Sequence, residues 1–186
     1  MAKPAPERRA LVVGGTGMLA GLVESLASAG WSVAVLARGR ERLDAVARHP
    51  NVAALQADYR DLEAFETAVR TALPVGLVVA WIHSTAPLAP LCLARLVERP
   101  DATVEYHHVL GHADGRGYEA PHVEDFAALP GIDYRQVVLG EVRERSGTRW
   151  LTHDEIASGV LRAIRSGEAT NYVGTTDPWT GRPGLI

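Results

Sequence analysis

Lysine is almost absent from this chain, since Lys3 is the only lysine among 19 lysine and arginine residues. A lysine proton relay inside the folded part is therefore excluded, and arginine cannot replace it because arginine stays charged. Cys92 is the only cysteine, which excludes internal disulfides and leads us to expect a cytoplasmic protein. The net charge of -3 offers no basic surface for nucleic acid, and no apolar run is long enough to span a membrane.

What the chain does contain is an ordinary globular composition, with 47% hydrophobic and 22% charged residues over 186 positions. That length suits one domain with a full core. The initial MAKPAPERR is polar and contains prolines. We therefore interpret residues 1–9 as a short flexible lead and residues 10–186 as one nucleotide-binding domain.

The segment 10–38, ALVVGGTGMLAGLVESLASAGWSVAVLAR, has the pattern of a strand, a glycine turn, a helix and a second strand. Gly14, Gly15 and Gly17 let a pyrophosphate approach the backbone at a helix N-terminus, whose N–H groups and dipole attract it. Ala20 is the third small residue of a G-x-x-G-x-x-A pattern, where helix and strand pack closely. The alternative is a tight turn without a ligand. The predicted cofactor contacts in this turn are Gly14, Gly15, Thr16, Gly17, Met18 and Leu19.

Strand and helix patterns alternate along the rest of the chain. Strands are predicted at 10–14, 31–37, 52–56, 76–82, 102–110, 134–139 and 172–174, and helices at 16–29, 40–48, 61–73 and 87–99. Thr152 and Glu155 form a capping box that opens a further amphipathic helix. This alternation predicts a single Rossmann-type, doubly wound α/β domain of about seven mostly parallel strands, with helices on both faces and the ligand at the carboxyl ends of the strands.

Arginine follows the second predicted strand, at a position that usually carries an acid in sites for NAD. Arg38, with Arg40 two positions later, can instead pair with a 2′-phosphate, which favours NADP(H) over NAD(H). A solvated arginine at a strand end is the alternative for both. Asp58 ends the third strand, where its carboxylate or the neighbouring backbone can bond the adenine amino group, although an ordinary turn aspartate fits the position equally well.

These motifs resemble those of the short-chain dehydrogenase/reductase superfamily. GGTGMLA resembles its nucleotide loop, LARGRERL the NADP-type end of its second strand, and ADYRD its adenine-contact turn. LVVAWIHS takes the place of its fourth-strand N-A-G sequence, and WLTHDEIASGVLRAI resembles its late helix. RQVVLGEV resembles the sixth-strand end, whose Pro-Gly turn contacts the nicotinamide carboxamide, with Leu139 in place of the proline. The resemblance implies an NADP(H) oxidoreductase with further cofactor contacts from Tyr59, Trp81 and Gly140.

The catalytic pair of that superfamily is missing. Typical members carry Y-x-x-x-K on the helix after the fifth strand, where the tyrosine protonates the carbonyl oxygen and the lysine lowers the tyrosine pKa and binds the ribose. Lys3 precedes the fold, and the interval 111–131 is too short for that helix and its long predecessor. The chain therefore resembles an atypical, shortened member without the dyad.

Other polar groups follow the fourth and fifth predicted strands. His83 or His112 can act as the general acid for a carbonyl, because strand ends form the site in this architecture. Ser84 can orient the substrate oxygen, and Tyr118 is a third candidate proton donor.

A metal site is not predicted, although suitable ligand types are present. His107 and His108 point to opposite faces of a buried strand, so we expect one of them to bond helix backbone, and no H-x-x-x-H helix pattern occurs. Cys92 lies in an apolar stretch that indicates a packed helix, which argues against a nucleophile. The ligand types considered are His107, His108, His112, His122 and Asp114.

Two functions remain open at this level. One is NADP(H)-dependent reduction of a small carbonyl or imine, favoured by the polar groups at the strand ends. The other is a non-catalytic module that senses NADP(H) or regulates a partner, favoured by the missing dyad. The substrate is not specified, and the chain acts either alone or as a homo-oligomer. The C-terminal DPWTGRPG, with Trp179, is a lid, a partner contact or a tail packed on the sheet edge.

Overall fold

Nine strands and six helices occupy the residues that the computed structural model describes, 8–111, 123–144 and 147–175. The strands are β1 (Arg9–Val13), β2 (Ser32–Ala37), β3 (Val52–Gln56), β4 (Leu77–Trp81), β5 (Val104–Gly111), β6 (Ile132–Leu139), β7 (Glu141–Glu144), β8 (Gly147–Trp150) and β9 (Thr170–Val173). The helices are α1 (Ala20–Ser28), α2 (Arg40–Val46), α3 (Leu62–Ala72), α4 (Ala89–Val97), α5 (Val123–Ala127) and α6 (His153–Ser166).

Seven of the strands form one parallel sheet in the order β3-β2-β1-β4-β5-β6-β9. Helices α1, α2 and α6 cover one face, and α3, α4 and α5 cover the other. The predicted doubly wound α/β fold is confirmed. The strand order reverses between β1 and β4, and in such sheets ligands bind in the crevice at the carboxyl ends of the two strands.

Burial on both faces explains the apolar character of the central strands. Residues 77–80 of β4 are buried and only Trp81, at the carboxyl end, is half-buried. Each apolar side chain removed from water on folding contributes about 1.5–3 kcal/mol, so the alternating side chains of β1 and β4 tie both helical layers to one sheet.

Most predicted element boundaries agree with the structure within two residues. The start of α1 is wrong, because residues 14–19 form turns and the helix begins at Ala20 rather than at Thr16. The first strand starts one residue earlier than predicted, since Arg9 pairs within β1 and its guanidinium donates to the Ala72 carbonyl oxygen at 2.7 Å. The division into a lead and a domain stays a prediction.

The sequence does not predict α5 or the antiparallel hairpin formed by β7 and β8. The hairpin strands are short and largely polar, so they carry no periodic signal. Arg149 fixes the hairpin to the start of α6, because its guanidinium bonds Glu144 at 2.6 Å and both carboxylate oxygens of Glu155 at 2.8 and 3.0 Å. The predicted capping box is present, since Thr152 and Glu155 exchange side chain–backbone bonds.

Two adjacent histidines of β5 are buried on opposite faces of the sheet. His108 Nδ1 lies 3.0 Å from the Tyr134 hydroxyl, whereas His107 Nε2 lies 3.5 Å from a Glu105 carboxylate oxygen. The expectation that one of them bonds helix backbone is wrong for the described residues, where His107 Nδ1 has no partner at all. Burial lowers the pKa of both rings, that of His108 from 6.5 to about 4.

We expect acid to destabilise the protein partly through His108. Its pKa is depressed in the folded state, so below about pH 6.5 only the unfolded chain binds the proton, and the stabilisation is lost as the pH falls to about 4. The pKa difference corresponds to about 3 kcal/mol in the free energy of unfolding. Urea denaturation between these pH values measures the loss.

The matched variant is His108→Gln, which keeps a neutral hydrogen-bonding group beside Tyr134 at every pH. Its free energy of unfolding should fall less steeply across the same range, with the remaining slope due in part to His107. An unchanged slope would show that His108 is not buried in its neutral form.

Candidate cofactor site

The glycine turn joins the carboxyl end of β1 to α1. Gly14 N–H donates to the Leu36 carbonyl oxygen of β2, and Ala20 N–H donates to Gly17 at the start of the helix, both at 2.9 Å. No side chain of the described residues caps α1, and its first turn contains no acid. The positive end of α1 is therefore left for an external anion.

The three glycines of this turn meet different constraints. Gly14 has a φ of +77°, and a Cβ there would lie 2.7 Å from the Trp81 carbonyl oxygen. A Cβ on Gly15 would lie 2.9 Å from valine side chains of the adjacent strands. A Cβ on Gly17 would meet no atom of the described residues within 4 Å. Packing within the protein thus accounts for Gly14 and Gly15, and Gly17 is the glycine of the turn that borders open space.

The side chains of the turn also divide by burial. Leu19 is fully buried in the core, so a cofactor could contact only its backbone. Met18 is half-buried and packs on the same core, and Thr16 is half-buried. The predicted contacts of this turn with a cofactor stay predictions, carried mainly by its backbone.

Trp81 spans the carboxyl edge of the sheet from β1 to β5. Its Cδ1 would lie 3.2 Å from a Cβ on Gly14, and its Cη2 would lie 2.9 Å from a Cβ on Gly111. The half-buried ring therefore rests against two positions where any side chain would displace it. It forms the floor of the crevice at the point where the strand order reverses.

Two of the predicted arginines differ in how far they are engaged. Arg40 sits in the first turn of α2 and pairs with Asp44 one helical turn later, at 3.0 Å. Arg38, directly after β2, has a side chain that is 54% exposed and lies 3.8 Å from the Asp58 carboxylate. Arg38 is thus the better placed of the two for an added phosphate.

Asp58 lies beside Arg38 and is bound by a residue that the sequence analysis did not select. The Arg60 guanidinium contacts both Asp58 carboxylate oxygens, with Nη2 at 2.6 Å from Oδ2. These hydrogen bonds lower the pKa of Asp58 to about 2. The D-x-R spacing in ADYRD is the signal that could have revealed the pair. Tyr59, between them, is half-buried and packs against the core.

His83 and Ser84 are exposed in the turn that follows β4. His83 Nδ1 accepts a hydrogen bond from the Thr85 N–H at 3.3 Å. In the neutral ring Nε2 then carries the proton, and it is available to donate to a ligand. The other two predicted proton donors, His112 and Tyr118, lie outside the described residues, as does Trp179.

Gly140 follows β6, where the resemblance implies a contact with the nicotinamide carboxamide. Its N–H already donates to the Val173 carbonyl oxygen at 2.8 Å. The next N–H, that of Glu141, donates to Thr175 at 3.1 Å. Neither amide proton is free for a carboxamide in this arrangement, so a contact there would have to use a carbonyl oxygen.

Two chemical alternatives can be compared with the structure. The Cys92 thiol is half-buried, and burial, followed by its hydrogen bond to Glu66, raises its pKa to about 11. A protonated thiol is a poor nucleophile at neutral pH. Among residues 8–111, 123–144 and 147–175 no group of three metal-ligating side chains is close enough to hold an ion; the absence of a metal stays a prediction, because His112, Asp114 and His122 lie elsewhere.

Comparison with solved structures places this sheet among well-known relatives. A double mutant of a short-chain dehydrogenase/reductase from Serratia marcescens has a TM-score of 0.66 at 20% identity, covering 92% of this chain and 98% of that chain. A short-chain dehydrogenase from Sphingobium yanoikuyae in complex with NADPH has the same TM-score of 0.66 and identity of 20%, covering 92% and 91%. A mutant actinorhodin polyketide ketoreductase with NADPH has a TM-score of 0.66 at 18% identity, covering 90% and 96%.

The fold is that of the short-chain dehydrogenases/reductases. No protein-family model matches the chain, and no curated protein does. Two of the three similar structures contain NADPH, and that ligand is a property of those proteins.

We expect Gly111→Ala to destabilise the protein, because the new Cβ would collide with the Trp81 ring. Overpacking of this kind costs about 1–3 kcal/mol in the free energy of unfolding. Trp81→Phe removes the colliding ring atoms, so Gly111→Ala should cost much less in that background. Urea denaturation of the two single variants and the double variant measures the coupling.

Gly14→Ala is the matched control, since its Cβ would meet the Trp81 backbone oxygen and its φ is +77°. Trp81→Phe should not relieve that cost. If Gly111→Ala costs the same with either ring present, Trp81 does not lie across the sheet edge as described.

Proposed function

We propose that this chain binds NADP(H) along the carboxyl edge of its sheet and reduces a small carbonyl or imine substrate. The observation that carries the proposal is the open, uncapped turn at Gly17, aligned with an exposed Arg38 at the end of the neighbouring strand. A dinucleotide has negative charge at both of these positions, at the pyrophosphate and at the 2′-phosphate.

The turn at Gly17 suits a pyrophosphate for two reasons. Open space beside Gly17 admits phosphate oxygens to the backbone, and the first turn of α1 offers N–H donors without a competing side-chain cap. The two similar structures that contain NADPH share this fold, which supports a dinucleotide as the anion.

Selection of NADP(H) over NAD(H) is assigned to Arg38. Its guanidinium has no hydrogen bond shorter than 3.5 Å to Asp58, and no acid takes the place of the ribose-binding carboxylate of NAD sites. A guanidinium can bind a phosphate through two parallel hydrogen bonds. Trp81 forms the floor beneath the remainder of the cofactor.

Bound NADPH supplies a hydride, and the protein must supply a proton to the substrate oxygen or nitrogen. His83 is the described residue assigned to this step, because the Thr85 N–H holds Nδ1 and leaves Nε2 to donate. Ser84 is assigned to orienting the substrate. His112 and Tyr118 remain further candidates for the proton donor.

A second candidate function is a non-catalytic protein that binds NADP(H) and responds to its redox state. Its support is specific: the one lysine of the chain is Lys3, and the N–H groups after β6 are already engaged with the chain after β9. Both functions require the same cofactor site, and they differ in turnover.

The remaining parts of the proposal concern setting. Within the described ranges no helix combines the length and apolarity needed to cross a membrane. A cytoplasmic location and a homo-oligomeric assembly stay predictions, as does the absence of nucleic acid among the partners.

We expect Arg38→Ala to weaken NADPH binding and to leave NADH binding nearly unchanged. Loss of a charge-assisted contact to phosphate costs about 1.5–3 kcal/mol, or roughly ten- to a hundredfold in affinity. Arg40→Ala is the matched control, because Arg40 is already paired with Asp44 and should matter little. Calorimetric titration of both cofactors measures the effect, and equal affinities of native protein for NADPH and NADH would rule out the assignment.

We expect His83→Ala to lower NADPH oxidation by roughly a hundredfold or more on any accepted aldehyde, ketone, quinone or imine, with cofactor affinity retained. His49→Ala is a close control, since His49 Nδ1 accepts the Asn51 N–H at 3.1 Å in the same turn geometry, before β3 at the opposite edge of the sheet. Turnover unaffected by the His83 change would remove His83 from the site. No turnover across the whole panel, with NADPH bound, would favour the sensor.

A further inference from the structure

Arg60 binds Asp58 through its side chain and its backbone together. Its Nε lies 3.1 and 3.0 Å from the two carboxylate oxygens, its Nη2 lies 2.6 Å from Oδ2, and its N–H donates to Oδ1 at 3.0 Å. The carboxylate is therefore satisfied within its own turn. Both residues lie immediately before α3, which begins after the cap residue Asp61.

Arg38 lies on the other side of the same carboxylate but is not hydrogen-bonded to it. Its Nη1 is 3.8 Å from Asp58 Oδ2, beyond hydrogen-bond range. The three side chains carry two positive charges and one negative charge, so the cluster is cationic. The guanidinium that remains open to a ligand is that of Arg38, whose side chain is 54% exposed.

Removal of Arg60 would change both properties. The Asp58 carboxylate would lose its bidentate partner and could turn to Arg38, occupying the donors that a phosphate needs. The cluster would also become neutral, which weakens the attraction for a phosphate group that carries roughly −1.5 to −2 charges at neutral pH.

We propose that Arg60 determines cofactor specificity as a positioning residue: by holding Asp58 it keeps Arg38 available for the 2′-phosphate. The inference rests on the proposed function, NADP(H) binding, and requires no contact between Arg60 and the cofactor. It makes the choice between NADPH and NADH depend on three side chains that two turns of the sheet edge bring together.

A merely structural role for the pair predicts a different result. Arg60 N–H and Asp61 N–H both bond Asp58, so the pair also closes the turn that precedes α3. If the guanidinium only stiffened that turn, its loss would weaken NADPH and NADH alike, because the two cofactors share the adenine ring that this turn is predicted to contact.

The test compares native protein with Arg60→Ala, Asp58→Asn and the double variant, using calorimetric titration of NADPH and of NADH. Arg60→Ala should weaken NADPH binding by roughly fivefold or more and leave NADH within about twofold. The double variant should recover NADPH affinity to within about twofold of native, since Arg38 is then released again. Arg70→Ala, which removes an exposed arginine paired with Glu66 at 3.6 Å on α3, is the control.

Circular dichroism and urea denaturation check that each variant folds, and Arg60→Gln replaces Arg60→Ala if the alanine variant does not. Equal weakening of both cofactors, or a double variant that stays as weak as Arg60→Ala, overturns the role of Arg60. Native protein without a preference for NADPH overturns the proposed function and the inference together. A native preference that survives loss of Arg60 rejects the inference alone.

Discussion

The contact of the Trp81 ring with two glycines organises the functional edge of this sheet. The ring reaches from the end of β1 to the end of β5 only because Gly14 and Gly111 have no side chains. With the ring in place, the crevice at the reversal of strand order has an aromatic floor, and the turn into α1 lies directly beside it. Small side chains at these two positions therefore matter for packing before they matter for any ligand.

Charge at the end of β2 is the second constraint on the site. One acid lies between two arginines, and it is bonded to Arg60 rather than to Arg38. This asymmetry leaves a cation beside the predicted adenosine position without an isolated buried charge, since all three side chains remain partly exposed. Electrostatic selection at such a place depends on which partner the acid chooses, and less on how many arginines are present.

Much of the fold could be predicted from the sequence because local and global signals agree. The apolar run of β4, the cap at Asp61 and the capping box at Thr152 each specify an element by simple physical rules, and each is present. The start of α1 was not predictable in the same way, because a helical apolar pattern continues back into residues 14–19 although the glycines hold them in turns. The β7–β8 hairpin depends on the long-range pairing of Arg149 with Glu155, which no local pattern reveals.

The candidate site was predictable in kind but not in detail. The motif located the turn and Arg38, whereas the separate constraints on the three glycines, the partner of Asp58 and the engaged amides after β6 follow only from three-dimensional contacts. Catalysis is the least determined part, because the chain lacks the tyrosine–lysine pair and two of the four predicted catalytic residues lie outside the described residues.

The most direct test of a dinucleotide site on this turn is calorimetric titration of NADPH into native protein and Gly17→Val. The new side chain would occupy the open space beside Gly17 without meeting a described protein atom, so the free energy of unfolding should stay within about 0.5 kcal/mol of native. The account predicts binding to native protein and loss of binding to the variant. Binding of NADPH to a folded Gly17→Val protein with native affinity would contradict it.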